Sequence, residues 1–377
     1  MKIAYDAKRV FSSVSGLGNY SRDLVRILSK VFPENQYILI SKKTSDKGKQ
    51  IVELSNVSHV KTSKGTLSRQ FKMGIDAQNL GADIFHGLSG ELPLKWNKRP
   101  TKKVVTIHDL IFERYPEYYT WLDRRIHFWK FKKAAVAADK IIAISEQTKR
   151  DVIDYLKVPE SKIEVVYQGC HQSFKEKQPA EFLDQVKEKF QLPEKFILNV
   201  GTIEPRKNLL NIVKALKETQ IPLVVVGTKK PKYFKLIEKE IKKGKVEVQF
   251  LQGVSMEELS AIYKLAEIFI YPSFFEGFGI PVIEALYSGT VVITSNTSCL
   301  PEAGGPDSVY IDPQNVADIR SKINFLWNNE PERKRRAEKG LEFVQKFNDG
   351  VIAKEVMKVY ESLLNHKDSK AITKNTN

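Results

Sequence analysis

The sequence has no long hydrophobic run. Its longest apolar stretches, such as residues 221–226 and 268–271, fall far short of the roughly 20 residues an α-helix needs to cross a bilayer. The chain goes straight into a short strand at Lys2, so no signal peptide is expected. Cysteine is nearly absent. Cys170 and Cys299 form neither a Cys-x-x-Cys pair nor a zinc spacing, which argues against a disulfide framework and is consistent with a reducing cytosol. No Asp-x-Asp occurs, no repeat of solenoid period appears, and the basic N-terminal half shows no helix-turn-helix, RNA-recognition or zinc-finger pattern.

What is present is an ordinary folded composition. Of 377 residues, 42% are hydrophobic and 28% charged, and that length exceeds a typical single core, so two domains are expected. The net charge of +16 is unevenly spread, since residues 1–180 hold 32 Lys and Arg against 19 Asp and Glu. Such a half suits an anionic partner: a phosphorylated substrate, nucleic acid or an acidic membrane face. Solubility charge without a specific partner accounts for it equally well.

Short apolar runs at 2–6, 37–40, 84–85, 104–107, 141–144 and 163–166 alternate with stretches of helical period. The pattern lapses over 170–190, an expected linker with a short helix near 182–190, and restarts with runs at 196–200, 223–226, 246–250, 268–271 and 291–294. Strand–helix alternation predicts doubly wound parallel sheets, one per domain. The expected boundaries are 1–175 and 190–350, with an amphipathic helix about 351–365 able to return to the first domain and a polar tail at 366–377.

Three segments carry chemistry. In FEGFGIPVIEA (275–285), a strand runs into glycines and then Pro281, which suits a helix start. Amides around Phe278, Gly279 and Ile280 would face an anionic or hydroxyl-rich ligand. Glu276 and Glu284 flank that turn, either as hydroxyl acceptors or as ordinary surface glutamates. Arg206 and Lys207 follow a strand and Gly201 and are both expected to be exposed, with Asn208 a plausible cap of the next helix. Two cations at a helix start are unfavourable unless an anion joins them. His108 and Asp109 end an apolar run, where ligands bind in open α/β sheets; a structural histidine and a capping aspartate are the plainer alternatives. Gly16-Leu-Gly18, in an expected loop at 15–19 before a helix from Tyr20 to Val31, matches only the start of a dinucleotide fingerprint, because the last position is Ser21.

Taken in order, SGLGNY (15–20), VTIHD (105–109), IAISEQTK (142–149), VGTIEPRKN (200–208), the Glu276-x7-Glu284 spacing and CLPEAG (299–304) resemble retaining family-4 glycosyltransferases. The resemblance covers residues 1 to about 365 and implies the α/β GT-B fold, two Rossmann-like doubly wound domains facing a deep cleft. It implies that Glu276 contacts the transferred hexose, Glu284 the ribose, and Gly277 to Ile280 the sugar and phosphate. Arg206 and Lys207 would clamp the diphosphate behind Gly201, and Val254 would border the base. His108 would face the reacting sugar beside Asp109, with Gly16 and Gly18 approaching the diphosphate. One departure stands out: many relatives carry Arg directly after the equivalent of Gly201, and here Thr202 stands there.

The implied reaction moves a hexose from a nucleoside-diphosphate sugar, GDP-mannose-like by a lean toward mannosyl-type relatives. The acceptor would be a glycan or a lipid-linked saccharide. No cofactor and no metal are expected, because two cations serve the diphosphate. Nucleic acid is not an expected partner. An anionic membrane surface is, through residues 61–72 as a mobile basic loop and 124–133 as a helix mixing cations and aromatics. That places the protein in the cytoplasm, peripheral on the cytosolic membrane face. A sugar-nucleotide epimerase, a phosphorylase, a non-catalytic nucleotide-sugar sensor or a nucleic-acid binder are the alternatives on a shared architecture.

Overall fold

A computed structural model describes residues 1–12, 16–63, 65 and 67–365. The tail 366–377, Ser15 of the glycine segment and Lys64 of the basic segment lie outside the described residues. The chain divides into two compact units, one of residues 1–169 with the segment from 347 onward, the other of residues 170–346.

The first unit holds seven parallel strands: β1 (Lys2–Asp6), β2 (Gln36–Ser41), β3 (Val57–Lys61), β4 (Ile84–Gly87), β5 (Lys102–Ile107), β6 (Lys140–Ala143) and β7 (Ile163–Val165), in the order β3-β2-β1-β4-β5-β6-β7. Nearly every residue of β1, β2, β4 and β5 is buried, as befits strands covered on both faces by crossover helices. The helix Asp349–Asn365 belongs to this unit, where Ile352, Val356, Tyr360 and Leu363 join Ile3, Tyr5, Leu24 and Leu28 in one core.

The second unit holds β8 (Ile197–Val200), β9 (Leu223–Val226), β10 (Val248–Leu251), β11 (Ile268–Tyr271), β12 (Val292–Ser295) and β13 (Val309–Ile311), all parallel, in the order β10-β9-β8-β11-β12-β13. Residues 170–190, read from sequence as a linker, lie inside this unit, and the short helix expected near 182–190 is Ala180–Phe190. In both sheets the strand order reverses beside the first strand, between β1 and β4 and between β8 and β11. Loops leaving the carboxyl ends of such neighbours diverge and leave a crevice for ligands.

Two strands escaped the sequence reading. β3 is an edge strand whose Val-Ser-His-Val-Lys gives no apolar run, and β13 is only three residues long. Because β3 runs to Lys61, the segment 61–72 is not one loop: Lys61 ends a strand, and Ser68–Phe71 is a short helix.

Candidate functional site

In the second unit, the loops after β8 and β11 come together at the switch point. Gly201 leaves β8 with φ of 145°, a conformation that favours glycine, and its carbonyl would lie 1.9 Å from a Cβ on Gly227. This close approach lets the β8 and β9 loops pass, and the chain then turns through Pro205–Lys207. From β11, residues 272–279 lead to the helix Ile280–Tyr287. Gly279 holds φ of 101° at its cap, a conformation that favours glycine, and a Cβ there would also press on the Leu300 side chain at 2.9 Å.

Those two loops meet through charge. The Glu276 carboxylate accepts from Lys207 Nζ at 2.6 Å and from Arg206 Nη1 at 2.8 Å, and Tyr271 Oη donates to it at 3.1 Å. Arg206 Nη1 also donates to the Phe275 carbonyl at 2.7 Å, and Nη2 to Glu204 at 3.0 Å. Lys207 Nζ lies 4.8 Å from the centre of the Tyr271 ring. The expectation of two exposed cations fails here. Arg206 and Lys207 side chains are only 16% and 15% exposed, because Glu276 draws both inward. That carboxylate is the anion which two cations beside a helix start require.

Burial alone would raise the Glu276 carboxyl, but the charges of Lys207 and Arg206, with their hydrogen bonds, hold it at about 2. Lys207 is lowered from the usual lysine value by burial, with Glu276 opposing and Arg206 adding to the shift. Asn208 does not cap the following helix with its side chain. It adopts a left-handed conformation, φ 60°, and its side-chain amide donates to the Pro272 and Pro313 carbonyls.

Glu284 sits inside the helix Ile280–Tyr287 and is buried, so neither glutamate is a surface residue. Tyr263 Oη donates to it at 3.0 Å. Burial pushes the Glu284 carboxyl up to about 7, the Tyr263 bond opposing. Phe278 is buried, and Gly277 and Ile280 are half-buried at the same turn. The first amides of this helix have no partners within it, as at every helix start. Val254 is half-buried in the loop after β10, just before the capping box that Ser255 and Glu258 form at the helix Met256–Leu265. The sequence reading missed Tyr271, Tyr263 and Glu204. A tyrosine closing the apolar run of β11 was the available signal for the first.

In the first unit, Gly16 and Gly18 are not in a loop. They form the first turn of the helix Gly16–Val31, Gly18 buried and Gly16 exposed. His108 follows β5 directly and is 9% exposed. Its Nε2 donates to the Leu88 carbonyl at 3.0 Å, and the Tyr20 ring meets it edge-on with centroids 4.6 Å apart. That bond fixes the tautomer and leaves Nδ1 as the acceptor nitrogen of the neutral ring. Burial lowers His108 to about 4, the Leu88 bond opposing and Arg9 adding, so the ring is neutral at physiological pH. Asp109 accepts from the Ile111 amide at 3.2 Å, steadying the turn after β5. Among the described residues no group of three or more His, Cys, Asp or Glu could hold a metal ion.

Two doubly wound parallel sheets, each with a crevice at its switch point, fit the GT-B fold, and the comparisons supply the class. The model of glycosyl transferases group 1 matches residues 181–343, and that of glycosyltransferase family 4 matches residues 14–173. The O-antigen chain mannosyltransferase B of Escherichia coli is 27% identical over 92% of this chain and 96% of its own. The serotype-specific mannosyltransferase WbdA of the same species is 30% identical over 62% of this chain, which spans only 30% of that longer protein. The sucrose-phosphate synthase of Thermosynechococcus elongatus shares the fold with a TM-score of 0.78 at 20% identity, covering 97% of this chain and all of its own. The chain belongs to family 4 of the glycosyltransferases, and it is an enzyme.

Proposed function

We propose that the enzyme transfers a hexose, with retention of anomeric configuration, from a GDP-mannose-like donor to a glycan or lipid-linked saccharide. The observation that carries this reading is the Arg206–Lys207–Glu276 cluster at the β8/β11 switch point. A departing nucleoside diphosphate gains negative charge, and two preorganised cations stabilise it where little water competes. Glu276 carries its own charge at neutral pH and is free of any need to titrate, so it suits acceptance from a hexose hydroxyl. Glu284, one turn into the helix, suits the ribose. His108, neutral and with its Nε2 hydrogen committed to Leu88, offers Nδ1 to a hydroxyl of the reacting sugar. The departing phosphate is the base for front-side attack, and the two cations make a divalent metal unnecessary. The mannosyl preference is supported by the names of the relatives. An acceptor linked to lipid would place the enzyme against the anionic cytosolic face of a membrane.

A thermal-shift panel of GDP, UDP, dTDP and ADP sugars tests the donor. The true donor at about a hundred times its dissociation constant adds about 2.7 kcal/mol. Stabilisation by UDP-glucose and none by GDP-mannose would replace the mannosyl reading.

A further inference from the structure

The helix Trp121–Ala137 has two apolar faces rather than one. Ala134 and Ala135 are buried, and Phe128 and Phe131 pack on the core of the first unit. On the other side Trp121 is 73% exposed, Leu122 60%, Ile126 44%, Trp129 49% and Val136 55%. At 100° per residue these five fall within an arc of about 140°. Arg125 and Lys133 lie on that same arc, both exposed. Neither makes an ion pair with a described residue, whereas the neighbouring Arg124 and Lys130 pair with Glu113 and Glu91. The helix has one acidic residue, Asp123, and it sits on another side, bonded to the capping Thr120.

A second exposed apolar group adjoins the first. Glu91 bridges Lys130 of this helix to Arg69 of the short helix Ser68–Phe71, at 3.6 and 2.5 Å. Beside Arg69, Leu67 is 58% exposed and Phe71 40%. Arg69 itself is drawn inward by Asp6 and Glu91, so it is not one of the cations that face outward, contrary to the sequence reading.

We propose that the outer arc of the helix Trp121–Ala137, flanked by Leu67 and Phe71, is an interfacial docking surface for a bilayer rich in anionic lipid. Tryptophans at the headgroup level, aliphatic side chains between them and unpaired cations alongside are what that interface takes. The surplus of basic over acidic residues in positions 1–180 extends the same complementarity. A second copy of this chain is a poorer occupant, because an isologous contact would set the arc's own cations against each other. No helix among the described residues is long and apolar enough to cross a membrane, so the contact lies in the interface plane. The proposal rests on the reading of an acceptor at a lipid surface, but its test reads binding rather than transfer.

The full chain is sedimented with phosphatidylcholine vesicles, with and without phosphatidylglycerol. Binding is expected only with the anionic lipid and is expected to fall at high salt. Each cation near the surface is worth about fivefold, so the Arg125→Ser, Lys133→Ser double variant should bind about 25-fold more weakly. Trp129→Gln with Ile126→Gln should weaken binding further, with an unchanged unfolding temperature. Brominated lipid should quench wild-type tryptophan fluorescence, and the Trp121→Tyr, Trp129→Tyr variant should lose that quenching. Equal binding to neutral vesicles, or undiminished binding by the double-cation variant, overturns the proposal. A dimer broken by Trp129→Gln, with no vesicle binding, overturns it in favour of a second copy.

Discussion

Replacing Glu276 with Gln separates the carboxylate's charge from its shape. In the folded protein this group sits between two largely buried cations, at 2.6 Å from Lys207 and 2.8 Å from Arg206. Breaking a buried pair by neutralising one partner costs about 3–5 kcal/mol. The amide oxygen still accepts one bond, so the lower end, about 3 kcal/mol, applies. The depressed carboxyl, which reflects the same two ion pairs, points to a similar magnitude. Glu276 is held at about 2 against an ordinary 4.5, and each unit is worth about 1.4 kcal/mol, again about 3 kcal/mol in all. Because the folded value is depressed, that stability is present above pH 4.5 and is lost as pH falls toward 2. For a unit the size of residues 170–346, each kcal/mol moves the midpoint by about 2–4 °C, so Glu276→Gln should unfold about 6–12 °C lower at pH 7. It should also lose this group's share of the wild-type decline between pH 4.5 and 2. Calorimetry supplies the functional half. With Glu276 no longer holding the two cations, free nucleoside diphosphate should bind at least as tightly as to wild type, while transfer falls. An unchanged midpoint would refute the ion-pair argument, and loss of free-nucleotide binding would refute the assignment of Glu276 to the hexose.

Arg206→Ala and Lys207→Ala should each cut turnover by about 10²–10³, and, because both side chains are mostly buried against Glu276, each should also lower the unfolding midpoint, which a melting curve beside the rate assay will show. Glu284, raised to about 7, accepts more strongly from ribose when ionised, so donor affinity should fall by up to about tenfold from pH 8 to pH 6 in titration calorimetry, and Glu284→Gln should flatten that profile. The sign for stability is opposite: with the folded value raised, Glu284 favours the unliganded fold below pH 4.5 and loses that contribution as pH rises through 7. Excess EDTA should leave the transfer rate unchanged; loss of activity that Mg²⁺ or Mn²⁺ restores would end the two-cation account of the leaving group.

Much of this architecture was legible because buried parallel strands announce themselves as continuous apolar runs, as at 223–226 and 268–271. The ordered motifs picked out both loops of the switch point, since Gly201 and Gly279 mark turns that other residues cannot make. What stayed hidden depended on partners far away in sequence. Arg206 looks like a solvent-facing cation until Glu276, 70 positions on, is placed against it. Arg69 looks like part of a basic surface until Asp6 and Glu91 are seen around it. The glycines at 16 and 18 suggested a loop, yet tertiary packing of Tyr20, Leu24 and Leu28 carries the helix back through them despite their poor propensity. The helix Trp121–Ala137 mixed aromatics and cations without a helical stripe, and the reason is that apolar residues occupy both sides of it.

Transfer of a hexose with its configuration kept can be read directly from the product. The most direct measurement is NMR of the product formed from GDP-mannose and a mannose-terminated acceptor glycan, with nucleotide release followed in the same tube. Retaining transfer gives one GDP released per linkage formed and an α-linkage from the α-configured donor. A β-linkage would contradict retention, and turnover of the donor without any new glycosidic bond would contradict the transferase assignment of the site.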